Sequence, residues 1–467
     1  MPMSAETRRP GSQDKLGTMP IGRLLVTMSV PMMISMFIQA LYNVVDSMFV
    51  ARLNEDALTA VSMAFPIQNI MIALAVGTGV GVNALVSRSL GEGNLRRAEK
   101  AANVQIFLDV VYAVLALLFG LFGAHRFFAG QTGVERIVAY GTEYATVVCC
   151  WSLGMFLAQG WEKLLIATGN ATHSMVSQAL GAVVNILLDP VLIFGLGPIP
   201  AMGVRGAAIA TVIGQYAAAL CAFLLNLRRN TATRFDLRQV LPDLKILKFI
   251  YSVGLPSMLI VGLSGVSSYF MNRIFLGFST TATAVYGIWL KIQSFGFMPV
   301  FGMNNGTIAI YSYNYGAGKT ERIFKTLRLS LLVGAAITLA VAVLYVCIPG
   351  TLLGLFDASE YMRSFGVTAV RLCALSMPFG AVTVILSSPF QSVGRARLSL
   401  LVNVCRQVLF QVAAAWVLSR FGHLEPVWLA PLIAEALTMC VAAVLSRRVM
   451  GQVRQEAAQR GAQPEHT

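Results

Sequence analysis

The chain has 467 residues, 56% of them hydrophobic and only 12% charged, with a mean hydropathy of +0.70. Soluble domains carry about 25% charged residues, so this composition points away from soluble enzymes and binding modules and toward one polytopic membrane unit. A net charge of +14 would suit a nucleic-acid partner, but the distribution of that charge along the chain argues against one.

The opening stretch MPMSAETRRPGSQDKLG is polar and lacks an apolar core with a small-residue cleavage site. It does not read as a secretory signal, and the first spanning helix is expected to direct insertion. Twelve apolar stretches follow, near 24–50, 58–87, 102–124, 137–160, 171–196, 204–227, 247–277, 283–313, 325–348, 365–388, 398–419 and 427–446. Each is long enough to cross ~30 Å of hydrocarbon, which takes about 20 residues of helix. Backbone groups in lipid must be satisfied within their own segment, and the runs lack the period-2 alternation of a membrane barrel, so helices are expected.

Of the 35 Lys and Arg residues, 25 fall in the two chain ends and in every second loop. The basic runs are RSLGEGNLRRAEK (88–100), LRRNTATRFDLRQVLPDLKILK (227–248) and KTERIFKTLR (319–328). Only Arg52, Arg126, Arg136, Arg205, Arg363 and Arg420 occupy the opposite loops, with no Lys among them. The positive-inside rule then puts both termini and the 227–248 connector in the cytoplasm, with the chain multi-pass in the plasma (inner) membrane. The basic loops face anionic lipid headgroups, so the bilayer is the expected partner and nucleic acid is not.

The chain repeats itself. GVNALVSRSLGEGNLRR (81–97) matches GTIAIYSYNYGAGKTER (306–322) at an offset of 225 residues, and the same offset carries Gly77 to Gly302, Gly169 to Gly394 and Ser174 to Ser399. Six segments have been duplicated. Six is even, so the copies are parallel and related by a pseudo-two-fold axis along the membrane normal. The expected fold is an all-α membrane protein of twelve transmembrane helices, two six-helix parallel-repeat lobes around a central cleft. Its divisions are a cytoplasmic tail (1–20), a first lobe (21–227), a connector (228–246), a second lobe (247–448) and a cytoplasmic tail (449–467).

Ionisable groups inside a membrane are costly and point to function. The first half carries Asp46, Asp109, Glu143 and Asp189 within its segments and Glu162 near a segment end, whereas the second half carries only Glu435. The repeat partners of Asp46 and Asp189 are Met271 and Ala414, so the acids differ between halves. Asp46, Asp189 and Thr211 fall at similar depth, and Asn185 shares a helix face with Asp189. Tyr42 and Asn43 lie one turn before Asp46. Carboxylates, an amide and a hydroxyl are hard oxygen ligands that suit Na⁺ or a proton network. Asp46, Asn185, Asp189 and Thr211 are therefore the candidate cation site, for Na⁺ or H⁺, and no cofactor is expected.

Other readings stay open for several groups. Asp189 precedes Pro190 and could instead bind backbone amides freed by that proline. Asp109, one to two turns from a cytoplasmic helix start, suits snorkelling as well as function. Lys291 and Arg406 could line the cleft or form static ion pairs. Pro31 removes a hydrogen bond from the first segment and could bend it. The seven cysteines all lie in apolar segments without metal-ligand spacing and read as small hydrophobes. GAGKT (316–320) lacks the first glycine of a phosphate-binding loop, since position 313 is Tyr313. No hydrolase or metalloprotease motif occurs, so an enzyme is not expected.

The stretch SVPMMISMFIQALYNVVDSMFVARL, with LTAVSMAFPIQNIMIALAVGTGVGVNALVSRSLGEG, NILLDPVLIF and GVRGAAIATVIG, resembles the multidrug and toxic compound extrusion (MATE) family, and within it the DinF-like branch. The resemblance covers essentially the whole chain. It implies a monomeric efflux antiporter that exports drugs or organic cations in exchange for Na⁺ or H⁺ by alternating access. It places the cation site at Asp46, Asn185, Asp189 and Thr211, with Tyr42 and Pro31 supporting that site and the bending of the first helix. Segment 7 lacks the acid of NorM-like members, which argues against a second-lobe cation site. A flippase for lipid-linked saccharides on a related fold is the alternative, disfavoured by the acidic first lobe.

Overall fold

The computed structural model describes residues 15–230, 235–236, 240–356 and 360–462. Residues 1–14 and 463–467 of the expected tails, and 231–234 and 237–239 of the expected connector, lie outside the described residues. The described chain is almost wholly helical, with twelve long helical units. They are α1 (Ile21–Ala51), α2 (Glu55–Gly91, interrupted at Ala64), α3 (Leu95–Phe122), α4 (Glu135–Cys150 and Leu153–Ala167), α5 (Ala171–Phe194) and α6 (Gly203–Arg229). The second set is α7 (Leu244–Leu276), α8 (Thr280–Gly316), α9 (Thr320–Cys347), α10 (Glu360–Ala374 and Met377–Ser392), α11 (Ala396–Ser419) and α12 (Ala430–Ala462). Ten of these units contain a window long and apolar enough to cross a bilayer. The other two are α4, broken at Trp151–Ser152, and α8, whose 37 residues include Lys291, Asn304 and Asn305.

Each lobe packs its own apolar core. The first centres on Tyr144, Phe128 and Phe156, the second on Trp289, Tyr286 and Trp428. In the second core Phe275 stacks between Trp428 and Tyr286, with ring centroids 4.4 and 4.9 Å apart. The outward faces are also apolar: Leu115, Leu118 and Phe122 of α3 and Leu332, Leu339 and Val343 of α9 are exposed. Faces of that kind belong against lipid tails, and the protein is a multi-pass membrane protein.

The duplication recurs in local chemistry. Asn54 caps α2 by accepting from the Ala57 N–H at 2.8 Å, and its repeat partner Ser279 caps α8 by accepting from the Ala282 N–H at 3.0 Å. The Ser87 hydroxyl donates to the Ala167 carbonyl at 2.9 Å, while Ser312 donates to the Ser392 carbonyl at 3.3 Å. Gly169 and Gly394, each in the turn before the fifth helix of its lobe, take φ of 82° and 81°. Only glycine adopts that conformation without strain.

The lobes meet through α1 against α8 and α2 against α7. The approach is backbone to backbone at the end of the bundle that also carries Leu16 and Glu456. A Cβ at Gly81 would lie 2.4 Å from the Ile250 carbonyl oxygen, and one at Gly306 would lie 2.6 Å from that of Met28. Side chains cannot fit there, so this end, termed the terminal end below, is closed. Lys163 adds a polar tie: buried on α4, it donates to the Asn305 side-chain carbonyl on α8 at 3.2 Å.

Several helix ends lie beyond the expected apolar stretches, two of them instructive. α3 begins at Leu95 rather than 102, because Asn94 caps it by accepting from the Arg97 N–H at 3.0 Å. α12 runs as helix to Ala462, well past the apolar stretch that was expected to end at 446. Arg395 on the turn before α11 and Tyr315 on α8 both hold Glu456 of that extension, at 2.9 and 2.7 Å.

Candidate functional site

In the half away from the terminal end the lobes leave a cavity of about 620 Å³. α1, α2, α4, α5 and α6 supply most of its wall, and α8 contributes Lys291. A continuous α1 carries Gln39, Tyr42, Asn43 and Asp46 into the cavity at roughly one-turn spacing. Asn185 and Thr211 reach it from α5 and α6.

Asp189 lies fully buried behind Asn185. The Asn185 amide nitrogen bridges the site, 3.3 Å from Asp189 Oδ1 and 3.4 Å from Thr211 Oγ1. Glycines let α5 and α6 approach closely enough for this: a Cβ at Gly214 would lie 2.7 Å from the Gly181 carbonyl oxygen. Asp189 takes the Asn185 amide rather than a backbone N–H freed by Pro190. Asp46 is near enough for its charge to act on Asp189, and Tyr42 lies within electrostatic reach of both.

Three oxygens of this cluster are buried without a hydrogen-bond partner among the described residues: Asp46 Oδ1, Asn185 Oδ1 and Asp189 Oδ2. Carboxylate and amide oxygens only accept, and a buried acceptor without a donor is costly. Three such acceptors from two helices make a set that a positively charged ligand satisfies. The donor set is all oxygen, which fits a hard monovalent cation or a proton rather than a soft metal.

Asn43 lines the cavity beside Tyr42. Lys291 lines it from the second lobe, with its ammonium 5.7 Å from the centroid of the Phe356 ring. Arg406 sits apart from the cavity lining and pairs with Glu435 at 2.8 Å. Pro31 is buried in α1, fifteen residues before Asp46, and the helix is uninterrupted across it. Asp109, expected near a helix start, lies fourteen residues into α3 and is fully buried.

The sequence marks Glu162 as an acid near a segment end but does not place it in the candidate site. It sits on the cavity wall, accepting from Gln178 at 2.6 Å and Ser177 at 3.3 Å. The signal was present: an acid at a segment end, with amides at Gln159 and Gln178 in the neighbouring segments.

The MatE family model matches residues 31–191 and 256–417, two copies set 225 residues apart at their starts. An FAD transporter of Shewanella oneidensis is 27% identical, aligned over 93% of this chain and 96% of its own length. The multidrug export protein MepA of Staphylococcus haemolyticus is 24% identical over 90% of this chain and 91% of its own. Among solved structures, an outward-facing multidrug resistance MATE family transporter of the MOP superfamily superposes with a TM-score of 0.89, at 26% identity, covering 96% of this chain and all of that one. A MOP superfamily transporter from Pyrococcus furiosus, described as having a binding pocket of reverse polarity, superposes at 0.87 with the same identity and coverage. A duplicated twelve-helix bundle, with a cavity walled mainly by its first copy, is thus matched in sequence and in shape, and the chain belongs to the MatE family of transporters.

Proposed function

We propose that the protein is a cation-coupled antiporter that exports amphipathic, often cationic compounds across the plasma (inner) membrane, with its termini in the cytoplasm. The observation that carries this is the set of three donorless oxygens on Asp46, Asn185 and Asp189 beside a cavity large enough for a drug-sized molecule. The terminal end is then cytoplasmic, and the cavity faces outward.

Asp46, Asn185, Asp189 and Thr211 bind the coupling ion, Na⁺ or H⁺, as a transported substrate. Its positive charge satisfies the donorless oxygens and relieves the repulsion between the two carboxylates. Substrate and ion then compete through one conformational equilibrium: ion binding from outside disfavours substrate in the outward-facing state, and the lobes rock to face inward. Pro31 lacks a backbone N–H and so leaves α1 easier to bend below the site. Lys291 is the basic member of the cavity lining, against Asp46 and Glu162, so the wall favours cations.

The multidrug names of the MepA relatives support this substrate class. The FAD transporter and the reverse-polarity neighbour make an anion the competing possibility. Dye efflux from proteoliposomes under separately imposed Na⁺ and pH gradients tests the coupling, with FAD and a lipid-flipping assay run beside a cationic dye. Efflux of the dye driven by either gradient is expected. Transport of FAD or lipid alone would overturn the assignment.

A further inference from the structure

Asp109 is a buried acid that the cleft does not use. It sits on α3 with no exposed surface, outside the cavity lining. Its Oδ1 accepts from the Gln105 amide nitrogen at 2.6 Å. Its Oδ2 has no partner among the described residues, and neither does the Gln105 carbonyl oxygen, Oε1. Two acceptors thus lie without donors on two side chains that already touch. An ionised carboxylate offers no donor, whereas a carboxylic acid offers one O–H. A proton on Oδ2 would give this acceptor-rich pair a donor, while the Gln105 amide keeps Oδ1.

The surroundings favour the neutral acid. α4 faces Asp109 with Gly160, where a Cβ would lie 2.5 Å from Oδ2 and 3.0 Å from the Gln105 amide nitrogen. Lys163, three residues beyond Gly160 on α4, extends past Gly79 to Asn305 and forms no ion pair with Asp109. The Tyr112 hydroxyl on the same helix bonds with Thr78 of α2 and Tyr251 of α7, neither of them basic. An isolated carboxylate without a basic partner is costly in a bilayer interior.

A chain of hydroxyls begins one helical turn from the acid. Tyr112 stands one turn along α3 from Asp109, with no hydrogen bond between the two in this state. Its hydroxyl is 2.9 Å from Thr78 Oγ1 and 2.7 Å from the hydroxyl of Tyr251 on α7. Hydroxyls both donate and accept. Moving one proton out breaks the acid O–H bond; Tyr112 takes that proton and passes its own to Tyr251, which gives its own to solvent water when the terminal end opens, so the acid becomes a carboxylate and no hydroxyl changes charge. α7 belongs to the second lobe, so parting the lobes at the terminal end breaks the Tyr112–Tyr251 link and exposes Tyr112.

We propose that Asp109 is a second proton-binding site, enclosed in the first lobe away from the cleft, whose proton exchanges with the lobe interface by way of the Tyr112 and Tyr251 hydroxyls one turn away. It deepens the antiport reading but does not depend on the Asp46 site.

Infrared spectroscopy of the full chain in proteoliposomes near neutral pH, with hydrogen–deuterium exchange, tests it. The parent should show a band from a buried protonated carboxyl that is absent from Asp109→Asn and retained in Asp46→Asn. Tyr112→Phe should keep the band and slow its deuterium shift by an order of magnitude. No difference between parent and Asp109→Asn overturns the site, and unchanged exchange in Tyr112→Phe overturns the path. Should Asp109→Asn fail to fold, Gly160→Ala keeps the acid and fills the space beside Oδ2, so its band must move; an unmoved band is a negative result. Loss of export in Asp46→Asn with the Asp109 band intact separates the two sites.

Discussion

Arg406 and Glu435 form an ion pair between α11 and α12, Nε to Oε1 2.8 Å, with the two side chains only 14% and 7% exposed. The pair lies in the second lobe, where the first has Gly181 and Ala210 at the repeat positions. Arg406 also lies over the Phe297 ring, 5.7 Å from its centroid, and it sits in a π-helical turn, Cys405–Phe410. The two lobes therefore treat buried acid differently. Glu435 has a basic partner, whereas Asp46 and Asp189 have none among the described residues.

Breaking the pair should damage stability rather than transport. Glu435→Ala leaves a buried guanidinium uncompensated, a loss of about 3–5 kcal/mol. The apparent melting temperature of the purified protein should fall, with efflux per folded molecule retained. Replacing both partners by Leu should recover most of the loss. A single variant that melts normally but no longer exports would give the pair a transport role.

The unpaired acids should show the opposite behaviour. Asp46→Asn and Asp189→Asn each keep side-chain volume and remove charge, so folded protein should persist while resistance and dye efflux vanish. The double variant should be no worse than either single, because residues that act as one site are non-additive. Full resistance at normal expression in either single variant would remove that residue from the ion site.

Gly81 tests the lobe closure. Its absent Cβ would lie 2.4 Å from the Ile250 carbonyl oxygen, backbone that cannot yield without moving α7. Gly81→Ala should disfavour the closed terminal end by about 1–3 kcal/mol. That amounts to roughly a tenfold population shift per 1.4 kcal/mol. Spin-label distances across the terminal end should lengthen, and export should fall. Unchanged distances would mean that this contact does not set the lobe equilibrium.

Hydropathy located all twelve helices and the offset of 225 exposed the duplication, because both are written in spacing along the chain. Helix ends were less legible. LRRAEK reads as a loop by hydropathy, yet Asn94 starts α3 there, which is why Asp109 lies mid-helix and fully buried. The segment after 446 is polar but strongly helix-forming, so α12 outlasts its apolar stretch. Partners distant in sequence were also beyond reach: nothing at Arg406 or Lys163 announces Glu435, 29 residues away, or Asn305, 142 away. By contrast, Asn185 four residues before Asp189 is a helix-periodic signal, and the structure joins them by a hydrogen bond.

Glu162 should set the charge of the exported compound. Its carboxylate is oriented by Gln178 at 2.6 Å and Ser177 at 3.3 Å, each donating to a different oxygen, and each oxygen keeps a lone pair for a further donor. On the cavity wall it faces a space whose basic lining residue is Lys291. Glu162→Gln removes the charge and retains the shape, so a cationic dye loses one charge-assisted contact of about 1.5–3 kcal/mol. Its apparent affinity should weaken roughly tenfold or more, while a neutral dye is exported as before. Lys291→Ala should act in the reverse sense, leaving cationic dyes unharmed. Dose–response curves for paired cationic and neutral dyes in the same vesicles separate these outcomes. Equal loss for both dyes in Glu162→Gln would reduce Glu162 to a structural support of α5.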